Sequence, residues 1–201
     1  PEPPMNEIYL QEGEDVISYV GNIHPDGTPY PWGNQRATSW HTDQSYEAEV
    51  ATATMLFCIL APEVGGETQL ADQVAAYAAL GKATKAKIDD MVVLHQYGAG
   101  PHREDERAAS PIKTEEQNEK LPVVRHPLVR RHPITGHRAL YSVSGTAFGI
   151  EGLAPKQGAE LLHDLKEHAL SERFIYRHKY RVGDVAIWDT LSTMHSATPI
   201  E

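Results

Sequence analysis

RFIYRHKYRVGDVAIWDTLSTMH, residues 173–195, is the stretch whose reading decides the fold class. From Phe174 it alternates, so that Phe174, Tyr176, His178, Tyr180 and Val182 fall on one side of an extended chain. A helix would bring apolar residues round every three or four positions, not every two. Gly183-Asp184 supplies a turn, and VAIWDT then reads as a second strand, with no glycine or proline inside it. Two strands joined so tightly predict a strand-rich molecule.

The segments on either side extend that expectation. PKQGAELLHDLKEHAL (155–170) has helical spacing, with Ala159, Leu162, Leu165 and Ala169 on one face and Leu161 beside them. LVRRHPITGHRALYSV (128–143) predicts a hairpin that turns at Pro133 and Gly136. TQLAD (68–72) is a short strand after Gly65-Gly66, and Asp72 stands where it can cap a helix over VAAYAAL. ATKAKIDDMVVLHQY (83–97) reads as mostly helical. MLFCIL (55–60) reads as a buried strand, and VISYVGNI (16–23) as another that runs into the turn HPDGTPYPWGN. Residues 98–122 are polar, charged and rich in breakers, which predicts a long loop able to act as a lid. No repeat or Gly/Ser linker divides the chain, so one domain over residues 1–201 is expected. The pattern as a whole is mainly β with flanking helices, a sandwich or barrel.

Composition narrows the function classes. Forty per cent apolar content over 201 residues is enough for a sizeable core. No run of about eighteen apolar residues is present, so no membrane span is expected. The opening PEPPMNEIYL lacks the basic start and apolar centre of a signal peptide. The single cysteine, Cys58, lies in an apolar run, which excludes a disulfide framework and points to a reducing cytoplasm. A net charge of -10 argues against a nucleic-acid partner. Basic residues do cluster at 123–138 and 173–181, as solvated faces or as an electropositive wall for a small anion.

The chemistry points to WHTDQSY, residues 40–46. His41 and Asp43, two apart in what reads as a strand, would project from one face while Thr42 points away. Two imidazoles and one carboxylate around one side of an ion form the arrangement of non-haem Fe(II) oxygenases, with positions left open. The third ligand must come from elsewhere, and His195, just beyond the strand 185–190, is the best placed of the eleven histidines. His126, His132 and His137 stand beside prolines or a turn in a basic segment, where protonated surface imidazoles are expected. His163 and His168 sit on the amphipathic helix, and His102 belongs to the long loop. A strand-edge ion pair fits His41 and Asp43 as well as a metal does, and His24-Pro25-Asp26 repeats the spacing inside a turn. A serine nucleophile is not expected, because YSVSGTAFG (141–149) lacks the glycine two before Ser144. Gly98-Ala99-Gly100 lacks the third glycine and the context of a dinucleotide site.

Four blocks carry a family resemblance: WHTDQSY (40–46), APEVGGETQLADQVAAYAAL (61–80), HPLVRRHPITGHRALY (126–141) and RFIYRHKYRVGDVAIWDTLSTMH (173–195). In order and spacing the chain resembles the TauD/TfdA family of Fe(II)- and 2-oxoglutarate-dependent dioxygenases, from about residue 15 to its end. The resemblance implies a double-stranded β-helix (a distorted, cupin-like jelly roll), with His41, Asp43 and His195 as iron ligands. It also implies Thr68 as a contact to 2-oxoglutarate, where the bare sequence shows an ordinary strand threonine. The implied reaction consumes O2 and hydroxylates a small anionic organic substrate, releasing succinate and CO2. Where the new hydroxyl adjoins a heteroatom, a C–O or C–S bond can then break. Because Asp43 fills the third protein position, hydroxylation is implied rather than halogenation. Gln44, Trp40 and Tyr46 flank the ligand pair and are the candidate substrate contacts, although the two aromatics equally fit core positions.

Two departures accompany the resemblance. Trp188-Asp189-Thr190-Leu191 stands where the family usually has Trp-Asp-Asn-Arg, and Ala37 stands where taurine-using members carry asparagine. The family's 2-oxoglutarate-anchoring arginine would lie beyond residue 201, so trimming at both ends is expected. A homo-oligomer is left open. The rival readings are a non-catalytic jelly-roll module and a zinc-type metallohydrolase using the same ligands.

Overall fold

Period-two patterning over short runs produces short strands, and the computed structural model carries ten of them among the described residues, 20, 21, 28, 37–97 and 122–200. In order they are β1 (Ala53–Phe57), β2 (Thr68–Asp72), β3 (Val92–His95), β4 (Val124–Pro127), β5 (Val129–Arg131), β6 (Arg138–Leu140), β7 (Ala147–Ile150), β8 (Ile175–His178), β9 (Val185–Asp189) and β10 (Thr193–Ala197). Helices α1 (Gln73–Ala79) and α2 (Lys82–Ile88) separate β2 from β3, and α3 (Pro155–Ala169) separates β7 from β8. All pairings are antiparallel, in four sheets ordered β1-β9, β10-β2-β8, β4-β3-β7 and β5-β6. The expected strand at 16–23, the turn at 24–34 and the loop at 98–122 lie almost wholly outside the described residues.

One register positions the site. Met194 pairs with Ala71 and both are fully buried in the core, so the next registered pair, His195 and Leu70, turns to the opposite face. The core side is closed by the helices and by the β5-β6 hairpin: α1 packs on β6, α3 packs on β7, and Leu162, Leu165 and Ala169 join Val93, Leu140 and Ile150. Asp72 caps α1 as its position suggests, its carboxylate accepting from the amides of Val74 and Ala75. On α3 the buried stripe includes Gly158 in place of the half-buried Ala159. A Cβ at Gly158 would come 3.0 Å from the Ile150 amide, so glycine lets the helix approach β7. The hairpin turns through Gly136 at φ 71°.

Several expectations are corrected. Residues 40–46 are not a strand: His41 forms a single bridge to His195, and residues 43–46 form a turn. MLFCIL is not buried throughout, because the β1-β9 sheet is covered on one face only and leaves Met55, Phe57, Ile59 and Leu60 exposed while Cys58 is buried. The helical reading of 83–97 fails after Ile88, where Asp89-Asp90 ends α2 and the β-branched Val92-Val93 enters β3 between β4 and β7. β8 stops at His178, so Tyr180 turns inward and Val182 stays exposed. His126 and His132, expected at the surface, are both buried. Among the described residues no helix is long and apolar enough to cross a membrane.

Candidate metal centre

His41 and His195 come from opposite ends of the chain and meet through backbone pairing. The His41 amide donates to the His195 carbonyl at 2.9 Å, and the His195 amide donates back to the His41 carbonyl at 2.8 Å. This reciprocal pair sets the two imidazoles side by side, ring centres 4.2 Å apart. Asp43 follows in the turn, which Gln44 bends by adopting φ 53°, a left-handed conformation uncommon outside glycine. His41 Nε2 lies 3.5 Å from Asp43 Oδ1, and His195 Nε2 lies 3.7 Å from Asp43 Oδ2. One ligand atom from each residue falls within 4.8 Å of the others, the one cluster of this kind among the described residues.

The tautomer of His41 follows from its partner. Its Nδ1 sits 2.7 Å from the Ser39 carbonyl, which can only accept, so Nδ1 carries a proton and Nε2, turned to Asp43, is the nitrogen whose lone pair serves a metal in the neutral ring. Burial opposes charge on His41, yet the Asp43 carboxylate and the Ser39 carbonyl raise its pKa above the ordinary value. Burial also opposes the Asp43 carboxylate, but His41, His195 and the Thr54 hydroxyl overcome it and hold Asp43 well below the usual range. Thr54 donates to Asp43 Oδ2 at 2.5 Å. His195 is pushed down to about 3, by burial first and then by His41, so it stays neutral and able to ligate. Its Nδ1 is buried without a partner among the described residues, and the Trp188 ring lies 4.9 Å away. With a metal in place of the proton that Asp43 favours on His41, two imidazole nitrogens and an ionised carboxylate would make a donor set for a divalent transition metal, not for the all-oxygen cages of Ca(II) or Mg(II). His41 and Asp43 keep 26% and 30% of their side-chain surface in solvent, so the cluster opens on one side.

Of the other candidates, Thr68 is buried on the same face of the sheet as His195, two residues along from its partner Leu70. Trp40 packs against the core, Tyr46 meets Tyr97 edge-on, and Gln44 is exposed.

The family model for the taurine catabolism dioxygenase TauD, TfdA family matches residues 6–201. This chain belongs to that family. The 2,4-dichlorophenoxyacetate dioxygenase of Cupriavidus pinatubonensis, described as alpha-ketoglutarate-dependent, is 32% identical over 163 residues, covering 81% of this chain and 55% of its own length. The (S)-phenoxypropionate/alpha-ketoglutarate-dioxygenase of Sphingobium herbicidovorans is 33% identical over 199 residues, covering 92% of this chain and 68% of its own length. The crystal structure of AAD-2 in complex with Mn(II) and N-oxalylglycine superposes with a TM-score of 0.75 at 33% identity, over 84% of this chain and 65% of that one. The chain thus spans little more than half of the first relative. Its mainly β fold with few helices is the TauD-type double-stranded β-helix.

Within this TauD/TfdA chain, three neighbours of the centre carried no signal in the sequence. Thr54 approaches Asp43 from β1, and only folding brings the two together. Gly145, at φ 69°, lies against His41: a Cβ there would come 2.9 Å from the His41 Cβ. Tyr180 pairs its hydroxyl with that of Thr68 at 2.9 Å, and burial raises the phenol pKa, so the O–H persists as a donor. The departure at 190–191 is also accommodated. Thr190 donates to the Ala51 carbonyl, and Leu191 is buried.

Proposed function

We propose that this protein is an Fe(II)- and 2-oxoglutarate-dependent dioxygenase that hydroxylates a small organic anion and releases succinate and CO2. The convergence of His41, Asp43 and His195 within 4.8 Å carries the reading. His41 and His195 would bind iron through Nε2 and Asp43 through its carboxylate, which His41 and the Thr54 hydroxyl help to keep ionised. When bound, the ferrous ion supplies O2 activation coupled to oxidative decarboxylation of 2-oxoglutarate. The residues of the chain supply orientation and exclusion. Thr68, its hydroxyl 2.9 Å from that of Tyr180, would present a donor to a 2-oxoglutarate carboxylate. The Trp188 ring, 4.9 Å from that of His195, would help to exclude water there. Trp40, Gln44 and Tyr46, beside the ligand pair, are the candidate contacts to substrate.

For the substrate class we favour aryloxyalkanoic acids, in keeping with the two relatives named above. Hydroxylation of the carbon beside the ether oxygen converts Ar–O–CHR–COO⁻ into Ar–O–C(OH)R–COO⁻, a hemiacetal where R is hydrogen and a hemiketal where R is alkyl. Its hydroxyl proton passes to the departing phenol oxygen as the C–O bond breaks, leaving a phenol and a 2-oxo acid. Taurine is disfavoured by Ala37.

The full-length protein, loaded anaerobically with Fe(II) and then given O2, tests this against a panel of aryloxyalkanoates, sulfonates and sulfate esters. Succinate formed in step with product, and lost in His41→Ala with the fold retained, is the expected result. Turnover without O2 would favour a zinc-type hydrolase instead. No coupled 2-oxoglutarate loss across the panel would overturn the reading.

A further inference from the structure

Behind the Asp43 turn lies a buried polar layer that the proposed reaction does not use. His95 on β3 is fully buried, with Nδ1 2.9 Å from Thr146 Oγ1, and Thr146 Oγ1 is in turn 2.9 Å from Ser45 Oγ. Ser45 is itself fully buried. His126 on β4 reaches the same turn by another route, its Nε2 3.1 Å from the Glu47 carbonyl. The two imidazoles lie 5.4 Å apart between ring centres, and Tyr141 stands edge-on to both, at 6.2 Å from His95 and 5.3 Å from His126. The segment that presents Asp43 is therefore gripped at the Ser45 side chain and at the Glu47 backbone.

That segment needs outside support. Its own hydrogen bonds are the Ser45 amide to the Thr42 carbonyl at 3.4 Å and the Glu47 amide to the Gln44 carbonyl at 2.9 Å. Gln44 adopts φ 53°, a conformation that persists in a residue other than glycine when its surroundings over-determine it. For stability alone the layer is a poor choice. Two imidazoles and the Ser45 hydroxyl lose water here, the Thr146 hydroxyl is half-buried, and His95 Nε2 recovers no partner among the described residues. Apolar side chains of similar size would fill this space with no such loss. A core that departs from the apolar rule directly behind a ligand-bearing turn points to a role at that turn.

We propose that His95 and His126 are positioning residues for the metal centre. Acting through Thr146 and Ser45, and through the Glu47 carbonyl, they hold residues 43–47 in the bent form that keeps Asp43 within reach of both ligand imidazoles. The proton arrangement supports this. A carbonyl can only accept, so His126 carries its proton on Nε2. Burial keeps both rings neutral, pushing His95 down to about 3 and lowering His126 as well. The arrangement of least cost places the His95 proton on Nδ1, donating to Thr146, whose hydroxyl then donates to Ser45. The chain of donors runs from the core toward the ligand turn.

The inference rests on the metal reading, and its test separates the two. In the full-length protein, Co(II) affinity, the visible absorption of the bound Co(II) and the thermal midpoint are measured for the parent and five variants. His95→Leu, His126→Leu and Ser45→Ala break the grip, whereas His95→Asn and His126→Gln return an amide donor near Nδ1 and Nε2 respectively. The expected result is Co(II) affinity lowered by about tenfold or more, with an altered spectrum, in the three disrupting variants. The two amide variants should restore both. Ser45→Ala keeps the test open if a histidine variant fails to fold. Disrupting variants with the parent's affinity and spectrum would overturn the inference while leaving the metal reading intact. Affinity that follows only the thermal midpoint, with no rescue by the amides, would overturn it equally. A parent that binds no Co(II) sinks the metal reading, and the inference with it.

Discussion

Asp43 is the residue on which most forces converge. Two imidazoles and the Thr54 hydroxyl stabilise its charge against the cost of burial. Thr54→Val preserves shape and β-branching but removes the hydroxyl. We expect about tenfold weaker Co(II) binding with little change in thermal midpoint, measured by titration and by melting. His95 carries a pH signature of its own. Its pKa is pushed down to about 3 by burial, with His126 adding to the effect, against 6.5 in an unfolded chain. Since the folded state resists the proton, this contribution to stability is complete above pH 6.5 and is lost as pH falls toward 3. The slope is about 1.4 kcal/mol per pH unit. His95→Asn carries no titrating group and should flatten that part of the profile, as read from urea midpoints across this range.

At the scale of elements, the candidate ligand pair depends on close approach. Gly145 sits in the loop between β6 and β7, where its positive φ and missing Cβ let that loop lie against His41. Gly145→Ala should destabilise the fold by about 1–2 kcal/mol and displace the ring, lowering metal affinity as well. Denaturant melts and Co(II) titration check the two effects separately. Asp189, at the end of β9, ties the hairpin to the approach of β10. It accepts from His132 Nε2 at 2.8 Å, from the Leu191 amide and from the Ser192 hydroxyl. Elements differ in how far their sequence announces them. The hairpin, the Asp72 cap and α3 were legible because their signals are contiguous: a turn glycine, a capping carboxylate, an apolar stripe. β3 was not legible, because Met91-Val92-Val93-Leu94 suits a buried helix as well as a strand. The pairing with β4 and β7 decides between them. The turn at 43–46 was hidden for a similar reason, since nothing in Asp-Gln-Ser-Tyr marks Gln44 for a left-handed backbone.

At the scale of the whole molecule, burial is uneven. Met194 is fully buried, whereas Met55 on the outer face of β1 is 68% exposed beside Phe57 and Ile187. Met194→Ala should cost about 2–5 kcal/mol, and Met55→Ala should stay within about 0.5 kcal/mol, both read from urea midpoints. Hydrophobic pattern places both methionines in strands but does not say which sheet face is covered.

The sequence by itself determined what local chemistry can determine: strands from alternation, turns from glycine, and a supply of imidazole and carboxylate groups, among which His41, Asp43 and His195 stood as candidates. Tertiary structure alone decided that those donors meet, that Thr54, Gly145 and the His95–His126 layer stand around them, and that one face of β1 is bare. The physical reason is range. Propensity and periodicity act between neighbours in the chain, whereas the meeting of distant donors is set by cross-strand register and by which surfaces lose their water.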